Sequence, residues 1–257
     1  FIGMNVKKIV IPSLFKILRA LGLILLIYVS MVFYLVLTER QIAYPRAIIH
    51  TEANSFIDTL AKPISCILPD ELVLSGWTIG KNHNRALLYF PDTEEDAAQF
   101  LAETYPLEET VIAFNYRGSA GNKGKPSEET FESDAKSILE CAQQIHPHPI
   151  LIGRGKGAIL ASKLTKANDT LILIDPTPSF KASISDKYRL LFPSFLVRNK
   201  TQMKDLSSLD SSLIIILQDR KNKIILQEKV SEKYPSIKLI KREGKTLKQV
   251  LQFILNL

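Results

Sequence analysis

The pattern of apolar and polar positions divides the chain into one long apolar stretch and a following alternation of short apolar runs with amphipathic segments. From Ala20 to Leu37 the sequence ALGLILLIYVSMVFYLVL carries no charge. At about 1.5 Å per helical residue this run covers most of a ~30 Å hydrocarbon core. A core helix at a protein surface would need a polar face, which the stretch lacks. Thr38-Glu39-Arg40 offers no small-x-small cleavage signal. The pattern therefore predicts a transmembrane helix over 20–38, preceded by a flank over 1–19 and followed by an irregular linker over 39–65 that contains Pro45 and Pro63.

Residues 66–257 read as one domain. Glu71 to Ile79 alternates as a half-exposed strand and turns at Asn82-His83-Asn84. Ala86–Phe90, Thr110–Phe114, Ile150–Ile152, Thr170–Ile174, Ser212–Leu217 and Ile237–Ile240 are short, nearly continuous apolar runs. Between them the spacing predicts helices over Glu94–Thr104, from the Ser127 cap to Ile145, and over Ala158–Lys166, Leu226–Lys233 and Thr246–Leu255. Residues 180–208 are less regular. Fully apolar strands alternating with helices imply a mostly parallel sheet covered on both faces.

Charge changes this picture only at the amino end. The formal net charge is +7, but Lys7, Lys8, Lys16 and Arg19 all precede the first acidic residue, Glu39. Those four account for most of the excess, and no basic block with interleaved aromatics remains to suggest nucleic-acid binding. Their position does bear on topology: the positive-inside rule puts the N-terminus in the cytoplasm and the domain across the membrane. Cys66 and Cys141 lack metal-ligand spacing and read as two small buried thiols, with a disulfide as the alternative in an oxidising compartment. No cofactor or metal is implied.

Candidate chemistry centres on ILIGRGKGA, residues 150–158, where a buried strand turns sharply into a helix. Enzymes place a nucleophile at such a turn, and here its middle residue is Gly155, for which a positive φ is expected. Arg154 and Lys156 beside the helix N-terminus read either as an anion-binding corner or as solvated loop charges. The stretch does not match a P-loop.

Together with the order of elements, Phe114-Asn-Tyr-Arg-Gly118-Ser-Ala-Gly121-Asn-Lys-Gly124-Lys-Pro-Ser127 resembles the α/β-hydrolase superfamily, and within it the membrane-anchored Bem46-like (ABHD13-like) serine hydrolases. The resemblance implies an α/β-hydrolase fold with a reduced lid over about residues 66–257. It also implies positions for the catalytic parts, and this chain departs from each. The nucleophile position of G-x-S-x-G holds Gly155, and the acid position holds Lys221, with Asp219 in reach only if the loop shifts by two residues. The histidine position holds Lys245, and the oxyanion loop reads Pro91-Asp92. Proline has no N–H to donate. The four histidines, His50, His83, His146 and His148, lie elsewhere in the pattern.

The expectation is a membrane-anchored α/β-hydrolase-fold protein without catalytic residues, retained for binding a protein or an anionic small molecule. The alternative is an esterase, thioesterase or peptidase acting through non-standard residues. Arg154, Lys156, Lys221 and Lys245 at one sheet edge, opposed only by Asp92 and Asp219, predict an electropositive space above the turn.

Overall fold

A computed structural model describes residues 2–80, 82–166, 169–206, 214–218 and 237–256. The strands are β1 (Lys62–Ile67), β2 (Val73–Ile79), β3 (Asn82–Phe90), β4 (Glu109–Phe114), β5 (Ile150–Arg154), β6 (Leu171–Ile174), β7 (Ile214–Gln218) and β8 (Ile237–Lys241). The helices are α1 (Ile2–Ala43), α2 (Thr51–Ile57), α3 (Ala97–Thr104), α4 (Glu128–Ile145), α5 (Gly157–Leu164), α6 (Phe180–Tyr188) and α7 (Leu247–Leu255). Short 3₁₀ turns follow α6 at Arg189–Leu191 and Ser194–Leu196. The helix expected at Leu226–Lys233 falls outside the described residues.

All eight strands form one sheet in the order β1-β2-β4-β3-β5-β6-β7-β8. β2 pairs antiparallel with β1 and β4, and every other pairing is parallel. The apolar runs have the cause expected of them: with helices on both faces, both sets of alternating side chains must be apolar. On β3, Leu88 and Phe90 enter a core with Phe114, Phe131, Ile159 and Phe180. Leu87 and Tyr89 enter the opposite core with Phe100, Ile152, Ile172 and Leu251. Three helix starts carry capping boxes, at Asp96 for α3, Ser127 for α4 and Thr246 for α7.

Three expectations change. The segment read as an irregular linker carries α2 and β1, and its Tyr44, Ala47, Ala53 and Ile57 are buried, so the folded body begins well before residue 66. The pattern hid β1 because it is an edge strand, paired only to β2 and largely exposed, where Pro63 is tolerated. Second, Cys66 and Cys141 are joined as a disulfide with their Cα atoms 5.8 Å apart, so the two-thiol reading gives way to its alternative. The bond ties the edge strand to α4. Third, the less regular 180–208 stretch contains α6, capped by Ser179.

The apolar segment lies within α1, a single helix that runs on to Ala43. Its side chains at Leu14, Phe15, Ile24, Ile27, Phe33 and Leu37 are each more than half exposed, and the helix is long and apolar enough to cross a membrane. Its last turns are different. Leu35, Glu39 and Ala43 are buried against the domain. The Glu39 carboxylate accepts the backbone N–H groups of Arg198 (2.8 Å) and Asn199 (2.7 Å) and the Arg198 Nε (3.2 Å). Tyr44, just beyond, stacks with Phe180 at 4.8 Å and Phe131 at 5.5 Å, and its hydroxyl accepts from Asn199. The end of α1 is thus packed onto the domain at the carboxyl edge of the sheet.

Candidate functional site

Open parallel sheets place their chemistry at the carboxyl ends of the strands, and here the β5–α5 turn is the sharpest feature of that edge. Gly155 has φ +54°. Its N–H donates to the Ile174 carbonyl and its own carbonyl accepts from Thr177, both at 3.0 Å, so β6 and the loop after it fix the turn. Gly157 serves close approach, because a Cβ there would collide with the carbonyls of Phe90 and Pro91. The turn keeps an elbow's backbone.

The space above Gly155 is taken by Asp92. A Cβ built on Gly155 would run into that carboxylate, with even the farther oxygen, Oδ1, at 2.9 Å. Oδ1 accepts the backbone N–H of Lys156 at 3.2 Å and of Thr93 at 2.8 Å. In an α/β-hydrolase elbow these donor positions, the residue after the nucleophile and the loop after β3, are the ones that stabilise an oxyanion. Here both N–H groups donate to a carboxylate of the chain itself. Pro91 contributes only its carbonyl, which accepts the Tyr116 hydroxyl at 2.9 Å.

Behind Asp92 stands a buried polar network that holds the loop. The Asp92 N–H donates to Glu95 Oε2 (3.1 Å), which also accepts the Tyr89 hydroxyl (2.6 Å). Arg154 Nη1 donates to Glu95 Oε1 at 2.9 Å, and Nη2 to Glu103 at 3.3 Å. Burial pushes the Glu95 carboxyl above the usual range, with the Arg154 guanidinium pulling the other way. Burial, then the Glu95 charge, keeps the Tyr89 phenol well above its usual value, and burial with the nearby Asp92 does the same for Tyr116. Tyr89 and Tyr116 stay neutral donors.

Arg154 and Lys156, expected as an anion corner or as solvated loop charges, both have partners within the chain. Arg154 is committed to Glu95 and Glu103. Lys156 is buried, with Nζ donating to Thr93 Oγ1 (3.1 Å) and the Ala43 carbonyl (3.4 Å) and lying 5.3 Å from the centre of the Phe180 ring. Glu103 also accepts from Arg242 at 3.2 Å. Glu95 and Glu103, which the sequence pattern absorbs into the start and flank of a helix, are the acidic groups that the charge argument missed. Lys245 is exposed, 5.9 Å from the Phe253 ring on α7. Lys221 and Asp219 lie outside the described residues.

His50 caps α2, its Nδ1 accepting from Ala53. His146 and His148 flank the amino end of β5, on the edge opposite the elbow. His83 lies in β3, again before the carboxyl end. Asp175, buried at the carboxyl end of β6 beside the elbow, is a carboxylate that the sequence shows only as the start of a Pro-rich turn.

The Asn-Tyr-Arg-Gly stretch is structural. Asn115 Oδ1 accepts the Ala97 N–H and its Nδ2 donates to Asp96, fixing the start of α3. Arg117 grips Asp134 on α4 with two hydrogen bonds of 2.8 and 2.9 Å and Asp70 with a third of 2.5 Å.

No family model and no curated protein sequence matches the chain. Solved structures do. An α/β hydrolase from Vibrio vulnificus superposes with a TM-score of 0.65 at 16% identity, over 84% of this chain and 90% of that one. The esterase of Pyrococcus furiosus gives 0.56 at 14% identity, over 82% and 92%. A membrane phospholipase A described as a bacterial virulence factor gives 0.55 at 15% identity, and its match extends over 94% of this chain and 98% of that one. At such identities the likeness carries fold and not activity, and it agrees with the sheet order and the elbow: the chain has the α/β-hydrolase fold, preceded by an apolar helix long enough to cross a membrane.

Proposed function

We propose that this is a membrane-anchored protein of the Bem46-like kind that has given up acyl transfer and keeps its hydrolase fold for binding or interaction. One observation carries the reading. The Asp92 carboxylate sits where a nucleophile side chain and an oxyanion would both have to be, held there by the two N–H groups that an active elbow would offer to substrate. A glycine supplies no group for a covalent intermediate. A negative charge beside the acyl carbon would oppose the charge that develops in the transition state. Lysine at position 245, where the resemblance places histidine, and at position 221, where it places the acid, agree with the same reading.

An anionic ligand at the elbow would have to displace Asp92, so the geometry favours a macromolecular or lipid partner over a small anion. We place the N-terminus in the cytoplasm and the domain on the other side, on the strength of Lys7, Lys8, Lys16 and Arg19 before the apolar run and of the Cys66–Cys141 pair beyond it. The esterase reading is favoured by the neighbours, which include an esterase and a membrane phospholipase. A fluorophosphonate probe applied to the full chain in native membranes separates the two. Absence of labelling under conditions that label an active serine hydrolase is the expected result, and a labelled serine would overturn the proposal in favour of the esterase.

A further inference from the structure

The stretch after α6 reads Tyr188-Arg-Leu-Leu-Phe-Pro-Ser-Phe-Leu196, and its place in the molecule is unusual for a loop. Leu190 is 85% exposed and Phe195 79% exposed, with Leu191 also outward. Single exposed apolar residues need no explanation, but Leu190 and Leu191 lie in a turn against α1 and Phe195 follows in the next turn. The turn that presents them begins at Arg189, whose φ of +47° ends α6 and redirects the chain. Helix α1 touches both α6 and the 3₁₀ turn at Arg189–Leu191.

The decisive contact is between Tyr28 and Leu190. The Tyr28 hydroxyl donates to the Leu190 carbonyl at 2.8 Å. Tyr28 is in the middle of the uncharged run, about 14 Å along the helix axis from its end at Leu37 at ~1.5 Å per residue. Half of a ~30 Å hydrocarbon core is about 15 Å. A helix that spans the bilayer with this run carries Leu190 down beside it into the leaflet. In hydrocarbon an unpaired phenol hydroxyl and an unpaired backbone carbonyl are both costly, and here each satisfies the other. The next turn is also closed internally, Leu196 donating to Pro193 and Val197 to Ser194. Lys187, before the apolar tip, pairs with Glu94 at 3.8 Å on the domain.

We infer that residues 188–196 form a second membrane contact, a wedge in the leaflet next to the domain with Leu190, Leu191 and Phe195 among acyl chains. The inference rests on α1 being the membrane anchor and is independent of whether the elbow is catalytic. The wedge and the docked Glu39 turn would hold the domain against the bilayer in one orientation, its carboxyl sheet edge turned toward lipid.

The test uses the unmodified full chain in phosphatidylcholine vesicles that contain a phospholipid with a photoreactive diazirine in its acyl chain, followed by mass-spectrometric mapping of adducts. Adducts on Leu190, Leu191 or Phe195 as well as on α1 are expected. Adducts confined to α1 would overturn the wedge and leave the anchor standing, whereas an unlabelled α1 would remove the anchor and the wedge with it. A second measurement places tryptophan at exposed positions in a Trp77→Phe background. Phe195→Trp and Leu190→Trp should be quenched several-fold more by acyl-brominated lipid than Ile67→Trp on the exposed edge strand. Equal quenching, or protection of positions 190 and 195 from both brominated lipid and aqueous acrylamide, would show water or another protein on this face and sink the proposal.

Discussion

The carboxylate of Asp92 and the α-carbon of Gly155 are in mutual possession of one space: the first is there because the second has no side chain. Together they form one structure, in which an anionic side chain is bound by the N–H groups of Lys156 and Thr93.

This coupling is measurable. Gly155→Ala adds a Cβ at φ +54°, which costs on the order of 1–2 kcal/mol for an L-residue in that region, and it also displaces Asp92. Asp92→Gly leaves two N–H donors without their acceptor, at about 1–3 kcal/mol. The double variant should lose clearly less stability than the sum of the two, because the collision disappears with the carboxylate. Urea denaturation of the detergent-solubilised full chain reads this directly. Additive losses would mean that Asp92 does not contact position 155. The Gly155→Ser, Asp92→Gly chain should remain unlabelled by fluorophosphonate, since among the described residues no histidine is bonded at the elbow to activate the new hydroxyl.

Arg117 should matter more for folding than its place in a loop suggests. Its guanidinium fork holds Asp134, whose side chain is 5% exposed. Arg117→Ala would leave that carboxylate buried and unpaired, at about 3–5 kcal/mol by the behaviour of broken buried pairs. Arg117→Lys keeps a charge but loses the two-pronged geometry, so it should fall between wild type and alanine. Asp70→Ala removes only the exposed partner and should be nearly silent. A loss for Asp70→Ala as large as for Arg117→Ala would overturn this ranking in thermal melts.

Much of the architecture was legible because burial on both sheet faces writes itself as runs such as Leu171-Ile-Leu-Ile174, and because caps such as Ser127 mark helix starts. The edge strand β1 was not legible: an exposed strand alternates weakly and contains Pro63. At the elbow the glycines could be read, since tight turns demand them. What fills the elbow could not, because Asp92 reaches Gly155 only through the parallel pairing of β3 with β5. The acidic partners of Arg154 were hidden for the same reason. Arg154, Glu95 and Glu103 are scattered in sequence and meet only when α3 packs beside the end of β5.

Glu95 gives the site a pH dependence of definite sign. Burial raises its carboxyl in the folded state despite Arg154, the Tyr89 hydroxyl and the Asp92 N–H, which favour the charged form. The folded state therefore holds the proton more tightly than the unfolded one, whose glutamate titrates near 4.3. Stability from this group is complete below that range and declines as pH rises from it to the folded value. Glu95→Gln removes the decline, so the advantage of wild type over the variant should shrink between mildly acidic and neutral pH. If the advantage grows instead, Arg154 outweighs burial.

The disulfide and the orientation of the anchor can be tested in one experiment, because each constrains the other. Cys66 and Cys141 are 75 residues apart in sequence, and closing a loop of that order is worth roughly 4 kcal/mol in the chain-entropy account. Such bonds persist in oxidising compartments and are rare in the reducing cytosol. The proposed orientation, with the basic flank in the cytoplasm, puts the domain on the oxidising side, and both cysteines should then resist maleimide in unfolded, non-reduced protein and react after reduction. A Cys66→Ser, Cys141→Ser chain should melt earlier, since the covalent tie between the edge strand and α4 is then lost. In sealed inside-in vesicles or intact cells, added protease should reach the domain without membrane disruption. Thiols that react freely without reductant, together with a domain that is cleaved only after the cytoplasmic side is opened, would reverse the orientation and remove the bond at the same stroke.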